Sequence, residues 1–414
     1  MTKQTKRAVT AGALFLGAAL ALSACGGNSG GGESSNQPNE MYTWYSSEAD
    51  KAQWDAYVAA AKEANPDFKL DLSGVAITDF YTKAPTRLQQ NDAPCLVTTQ
   101  AERAQGLSSV LAPIDDEVKA AGINAGDYNA GMIEGMTIDG KLRGIPLDAA
   151  PSVVYYNKAL FKKAGIEEPG LDWTRDDFLA AAKKLAELDG VQAVGLDSVF
   201  NTTLFYAFGN GSVPVQDGKL NLTDPNFVKD VQWVFDLAAA NKVGNAPDST
   251  VMLNTSQQNF VAGTLGMYAD GPWMYGGHSE ALGEDLGVAV PPSDSGNPTG
   301  VVRGTAVGIT NTCPDKEAAA KTLKDFASPA VIGTIAEQRG QVPALASELK
   351  RWSSTKSAQA NDVVLKLLEN SKPLQTTKSW DQAVSLFQQY SPEGFNGSKT
   401  AEEILGQIQQ QAGE

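Results

Sequence analysis

Residues 268–275, Tyr-Ala-Asp-Gly-Pro-Trp-Met-Tyr, set three aromatic rings around one carboxylate, with Gly271-Pro272 fixing the bend between them. Three more stretches mix rings with polar groups: TWYSSE at 43–48, TTQAER at 98–103 and VYYNK at 154–158. This mixture suits a sugar, whose C–H faces are covered by aromatic rings and whose hydroxyls pair with Asp, Glu, Asn, Gln and Arg. A buried hydroxyl left without a partner is costly, and that cost is the source of specificity. Trp54 and Tyr57, by contrast, fall on the apolar stripe of a helix and read as core.

Bond-making chemistry is poorly served. His278 is the only histidine and lies in a glycine-rich turn, so every serine or cysteine triad would depend on it, and no GxSxG elbow occurs. Neither nucleotide cradle is present: no GxGxxG follows the first strand, and there is no GxxxxGK[ST]. One histidine and three scattered cysteines make no zinc set, and no calcium loop appears. Asp115-Asp116-Glu117 reads as a helix-start cap. No metal and no cofactor is expected. The enzyme-class alternative is an extracellular glycoside hydrolase, which needs two carboxylates about 5 to 9.5 Å apart across the sugar.

The elements that must carry these stretches alternate. A strand over 40–46 precedes a helix over 51–64 that Asp50 can cap and Asn65-Pro66 ends. FKLDLSG (68–74), a helix over 79–90 that Pro85 can break, and the strand CLVTT (95–99) follow. The middle repeats the pattern: GIPLDAAPSVVYYN enters a short helix, a second helix follows Thr174, and Asp224-Pro225 opens a third. LGVAVPP (286–292) and GTAVGIT (304–310) read as strands, and the chain after Pro343 as nearly all helix, with a turn around SPEGFNGS (391–398). Periodicity thus predicts an α/β protein of two lobes, each a mainly parallel sheet flanked by helices. About 390 residues beyond the leader exceed what one core organises, which also predicts two domains.

The leader is legible. Lys3, Lys6 and Arg7 precede an apolar run from Ala8 to Leu22, the pattern of a signal peptide over 1–24. Gly26–Gln37 is Gly/Ser-rich and predicts a flexible tether over 25–37. Loss of the leader removes three positive charges from a chain already at −15, which leaves no footprint for nucleic acid. Cys95 and Cys313 allow a disulfide, two buried thiols or, less readily, a reactive thiol; an oxidising exterior permits the bridge.

Taken together, GIPLDAAPSVVYYNKALFKKAG, GTLGMYADGPWMYGG, LGVAVPP, RGTAVGITNTCPDKEAAAKTLKDFAS and RGQVPAL resemble the extracellular sugar-binding proteins of ABC transporters, the group of the maltose- and maltodextrin-binding proteins. Leu22-Ser23-Ala24-Cys25 is similar to a lipobox, which implies lipidation of Cys25 and anchoring at the outer face of the cytoplasmic membrane. The resemblance implies a periplasmic-binding-protein-like fold with a ligand cleft between lobes of residues 38–148 with 305–345, and 149–304 with 346–414. That places Cys95 and Cys313 in one lobe. It further implies that Trp273 stacks on a sugar ring, that Tyr156 faces the cleft, and that Trp380 is another stacking residue. Contacts of the first lobe would begin at Trp44, Ser47 and Glu48. Pro94-Cys95-Leu96 departs from the family's usual PDV, and beyond it the chain offers Thr98, Thr99, Gln100 and Glu102, of which Gln100 is the candidate. Asp148 and Asp270 are further candidates, while Arg303 and Arg339 either grip hydroxyls or form ion pairs. The implied function is capture of a carbohydrate, a di- or oligosaccharide, by a monomer that closes on it and docks on an ABC permease, without catalysis. The alternative solute is a polyol phosphate or a peptide.

Overall fold

The computed structural model describes residues 38–45, 48–247, 253–369 and 371–413. The signal peptide, Cys25, the tether and Ser47 lie outside the described residues, as does the side chain of Glu48.

Besides two short two-stranded ribbons, twelve strands of the described residues form three sheets: β1 (Glu40–Trp44), β2 (Asp71–Val75), β3 (Leu96–Gln100), β4 (Ile145–Pro146), β5 (Ala150–Pro151), β6 (Val153–Asn157), β7 (Gln192–Val194), β8 (Leu265–Asp270), β9 (Leu286–Ala289), β10 (Val301–Arg303), β11 (Thr305–Ile309) and β12 (Lys372–Pro373). The first sheet has the order β2-β1-β3-β11-β4, the second β9-β6-β8-β7, and a small third one β12-β10-β5. Residues of β6 and β8 are all buried, as expected of strands covered on both faces.

The sheets are mixed rather than mainly parallel. In the first, β1 runs parallel to β2 and β3, but β11 lies antiparallel to β3 and β4. In the second, β8 is parallel to β7 and antiparallel to β6, which is also antiparallel to β9. The reason is connectivity. β11 and β6 enter their sheets after the chain has come across from the other core, not through a βαβ crossover, so nothing obliges them to run parallel.

Local signals place the helices. Thr174 and Asp177 form a capping box at the start of Arg175–Ala186, and Asp224 accepts from the backbone of Asn226 and Phe227 ahead of Pro225–Ala239. Pro85 falls in the last turn of the helix Ile77–Arg87, which continues past it for two residues rather than breaking there. The helix Trp380–Phe395 likewise runs through Pro392, so the turn expected from residue 391 begins only after Phe395.

Two hydrophobic cores result. One gathers residues between Met41 and Ala149 with others between Val302 and Leu345. The second spans Val153 to Val301 and adds Trp352, Trp380, Phe387 and the apolar face of Ala401–Ala412. Cys95 and Cys313 are bonded within the first, their Cα atoms 4.7 Å apart across a sequence separation of 218. Backbone hydrogen bonds tie the segments that pass between the cores: Leu147 N–H to Thr305 O, Ala149 N–H to Val342 O and Ala344 N–H to Leu147 O.

Candidate functional site

Where those segments meet, a cavity of about 420 Å³ opens between the lobes. The first lobe contributes Trp44, Gln53, Ile77, Gln100, Glu102 and Gln341; the second contributes Pro272, Trp273 and Met274; Asp148, Arg303, Gly304 and Thr305 form its back. A larger hollow of about 640 Å³, around Asn210, Asp230 and Asp294, contains no aromatic ring and is lined by the second lobe alone. Ligand cavities combine apolar faces with a few convergent polar groups, as the interlobe cavity does and the larger hollow does not.

Trp273 is the exposed ring of the site, 42% accessible against 8% for Trp44. β8 ends at Asp270, Gly271 caps a short turn of 3-10 helix, and Pro272 fixes its first position. The indole folds back over Gly271, where an added Cβ would stand 2.0 Å from the ring. The Tyr155 hydroxyl donates to the Gly271 carbonyl at 2.9 Å and anchors the turn from below. One face of Trp273 is therefore held out by backbone that only glycine allows.

Asp270 serves that turn. It is fully buried; its Oδ1 accepts from Gly271 N–H at 2.7 Å and its Oδ2 from Gln257 Nε2 at 2.9 Å. Burial raises its pKa to about 6 against the pull of those donors. Each oxygen accepts a bond inside the second lobe and the residue does not line the cavity, which corrects the expectation of a sugar contact.

Arg303 lies at the centre of the back wall. Its guanidinium carbon stands 4.4 Å from the Phe205 ring centroid and 5.5 Å from that of Trp273, and Nη1 is 3.8 Å from Glu102 Oε1. Of the two expected roles the ion pair is present, and the residue also lines the cavity. Arg303 Nε and Glu102 Oε2 are buried without a hydrogen-bond partner among the described residues, and a buried polar atom in that state is costly unless something satisfies it. Beside them Asp148 is pushed up to about 7 by burial, although the Thr305 N–H donates to its Oδ1 at 3.1 Å. Gly304 permits this approach, since a Cβ there would lie 2.3 Å from the Asp148 carbonyl oxygen.

Of the remaining candidates, Trp44 and Gln100 line the cavity. Trp44 is mostly buried, edge-on to Trp54. Tyr156 does not face the cavity: it is buried, packs on Phe161, and its hydroxyl donates to Glu168 at 2.7 Å. Strand alternation explains this, because the neighbouring Tyr155 takes the face toward the Gly271 turn. Trp380 is also buried and stacks on Phe200 at 5.4 Å, lining a separate small gap. Arg339 ends the helix Pro329–Arg339 and lies outside the cavity. The sequence reading passed over Gln53, Ile77, Met274, Thr305 and Gln341. Only Gln341 carried a signal, as the residue after Arg339-Gly340; its Oε1 accepts from the Tyr57 hydroxyl at 2.8 Å. Among the described residues no cluster could hold a metal ion, and no helix is long and apolar enough to cross a membrane.

Comparison with known proteins bears on the family and the fold. The pattern of the family described as bacterial extracellular solute-binding protein matches residues 45–332. The diacetylchitobiose binding protein DasA of Streptomyces coelicolor is 24% identical over 375 residues, covering 85% of this chain and 86% of its own. The sn-glycerol-3-phosphate-binding periplasmic protein UgpB of Agrobacterium fabrum is 29% identical over 147 residues, a match that spans only 34% of its length and 32% of this chain. In structure, the substrate-binding protein Lmo0181 of Listeria monocytogenes, solved with cycloalternan, superposes with a TM-score of 0.77 at 21% identity, over 90% of this chain and 97% of that one. The GacH receptor of Streptomyces glaucescens, solved unliganded and with acarbose, gives 0.77 at 19% identity over the same shares.

Proposed function

The chain belongs to the family of bacterial extracellular solute-binding proteins, and on that premise we propose that it captures a di- or oligosaccharide between its lobes and delivers it to an ABC permease without chemical change. The observation that carries this reading is one cavity lined by the exposed ring of Trp273 together with the polar side chains Gln100, Glu102, Asp148 and Arg303. A sugar suits that mixture: its C–H face covers the indole and its hydroxyls pair with the carboxylate, amide and guanidinium groups of the lining. Closure excludes water and strengthens those bonds, and the ligand shifts the lobes toward the closed state by the affinity it gains there. Two cores whose membership changes between Ala149 and Val153, and again between Val301 and Val302, support lobes near residues 38–148 with 305–345 and 149–304 with 346–414, with Ala149 and Val302 packed in the first core and Ala336 and Val342 in the second.

The outside of the cell is the setting, and the disulfide suits its redox state. The lipid at Cys25 tethers a monomer beside its permease and raises its effective concentration there; mass spectrometry of the membrane-extracted chain tests the anchor.

Some relatives are named for sn-glycerol-3-phosphate. A phosphate in this cavity would meet Glu102 and Asp148 with Arg303 as the one cation of the lining, and like charges at close range disfavour it. The test is calorimetry against mono-, di- and oligosaccharides and sn-glycerol-3-phosphate, with products analysed for hydrolysis. Binding of an intact saccharide is expected; tight binding of the phosphate ester alone, or turnover, would replace this reading.

A further inference from the structure

Beside the main cavity a gap of about 130 Å³ separates Tyr81 and Arg103 of the first lobe from Thr376, Trp380 and Asp381 of the second. It is bridged. Arg103 Nη1 lies 2.8 Å from Asp381 Oδ1, and its guanidinium carbon sits 4.4 Å from the centroid of the Tyr81 ring. The Thr376 hydroxyl donates to the carbonyl of Glu102. The Tyr81 hydroxyl accepts from the backbone N–H of Gln100 at 2.9 Å. One stretch, residues 100–103, therefore lines the cavity with Gln100 and Glu102 while reaching the opposite lobe through Arg103 and the Glu102 carbonyl.

We propose that Arg103 and Asp381 form an interlobe latch, a positioning pair that holds the lobes together and sets how long a ligand stays bound. The proposal rests on the binding cleft described above and adds a residue pair outside it. Coupling follows from covalent geometry: a ligand that fixes Gln100 and Glu102 also fixes the backbone on which Arg103 stands, and the stack on Tyr81 limits where its guanidinium can point. The side chains are 24% and 56% accessible, so the pair is a partly screened surface bridge of modest strength. That is a useful strength for a latch, which must also release.

Three variants of the full chain test it: Asp381→Asn, Arg103→Gln, and the charge swap Arg103→Asp with Asp381→Arg. Stopped-flow tryptophan fluorescence, with the saccharide found by calorimetry, separates association from release. Release should quicken about three- to fivefold in each single variant, with association unchanged and melting temperature held. The swap should bring release back to within about twofold of wild type, and 0.5 M salt should shrink the difference. Unchanged release in the single variants, a loss confined to association, or a folded swap that fails to restore release would overturn the latch. X-ray scattering of the unliganded chain provides an arm that needs no ligand: Asp381→Asn should enlarge the radius of gyration, and superimposable curves would also overturn the proposal. Failure of the wild-type chain to bind any saccharide would refute the cleft reading instead, while the scattering result stands by itself.

Discussion

Replacing Trp273 by alanine is the sharpest test of the cleft. A tryptophan presents on the order of 250 Å² of surface, and 42% of it is accessible here, which leaves roughly 100 Å² for a ligand. A sugar ring covers about half of that, ~50 Å², and buries a similar area of its own. At ~25 cal/mol per Å² the two surfaces together contribute about 2.5 kcal/mol, close to two orders of magnitude in affinity. Polar desolvation reduces the gain, so the expected loss is between about 10- and 100-fold in Kd. Calorimetry with the saccharide identified in the screen reads it directly. The melting temperature should fall by no more than about 2 °C, because the indole rests on Gly271 and beside Arg303 rather than in a core. Trp273→Phe should lie between wild type and alanine, since the smaller ring keeps part of the stacking face. A change below twofold in Trp273→Ala, with the saccharide still bound by wild type, would refute the stacking argument; a fall of many degrees would show the ring to be structural.

Other outcomes follow from the same geometry. Gly271→Ala should mimic loss of the ring, lowering affinity at least tenfold with the fold kept, because the new Cβ occupies the indole's place; calorimetry and circular dichroism check both halves. Reducing the Cys95–Cys313 bond should lower the melting temperature while leaving saccharide affinity within about twofold: a closed loop of 218 residues contributes more than the ~4.7 kcal/mol assigned to one of a hundred in the chain-entropy model, and the bond lies in the core of one lobe. Stability should also fall between pH 6 and pH 8. Asp148 and Asp197, both raised to about 7 by burial, bind more protons folded than unfolded over this window. Each loses about 1.4 kcal/mol as it ionises. His278, lowered to about 4 by burial, works the other way, since at pH 6 only its unfolded form is substantially protonated; it offsets about 0.8 kcal/mol. The net is on the order of 2 kcal/mol, and Asp148→Asn, which removes about 1.4 kcal/mol of it, should flatten the melting-temperature profile by about two-thirds.

The fold was largely written in local signals. Thr174 with Asp177 and Asp224 with Pro225 mark helix starts by chemistry that needs only neighbours, and the runs in β6 and β8 announce buried strands. Strand direction was not legible, because it depends on which core a segment enters after crossing. Site residues divide on the same line. Trp273 could be read from its turn, since Gly271-Pro272 dictates what the ring does. Tyr156 and Asp270 sit in equally suggestive stretches, but a side chain's face on a strand and the bonds a carboxylate accepts are decided by Glu168, Gly271 and Gln257, two of them distant in sequence. Gln53 and Ile77 carried no signal because their place in the cavity comes from helices packed against the first sheet.

The wiring of the two cores also has a consequence for how the protein is made. β11 pairs with β3 from some two hundred positions downstream, and the partner of Cys95 is equally late. The first half of the chain therefore has no finished sheet to settle into while the ribosome is still building the second. Contacts so far apart in sequence are slow to form, so the first sheet and its disulfide wait until about three-quarters of the chain has been synthesised.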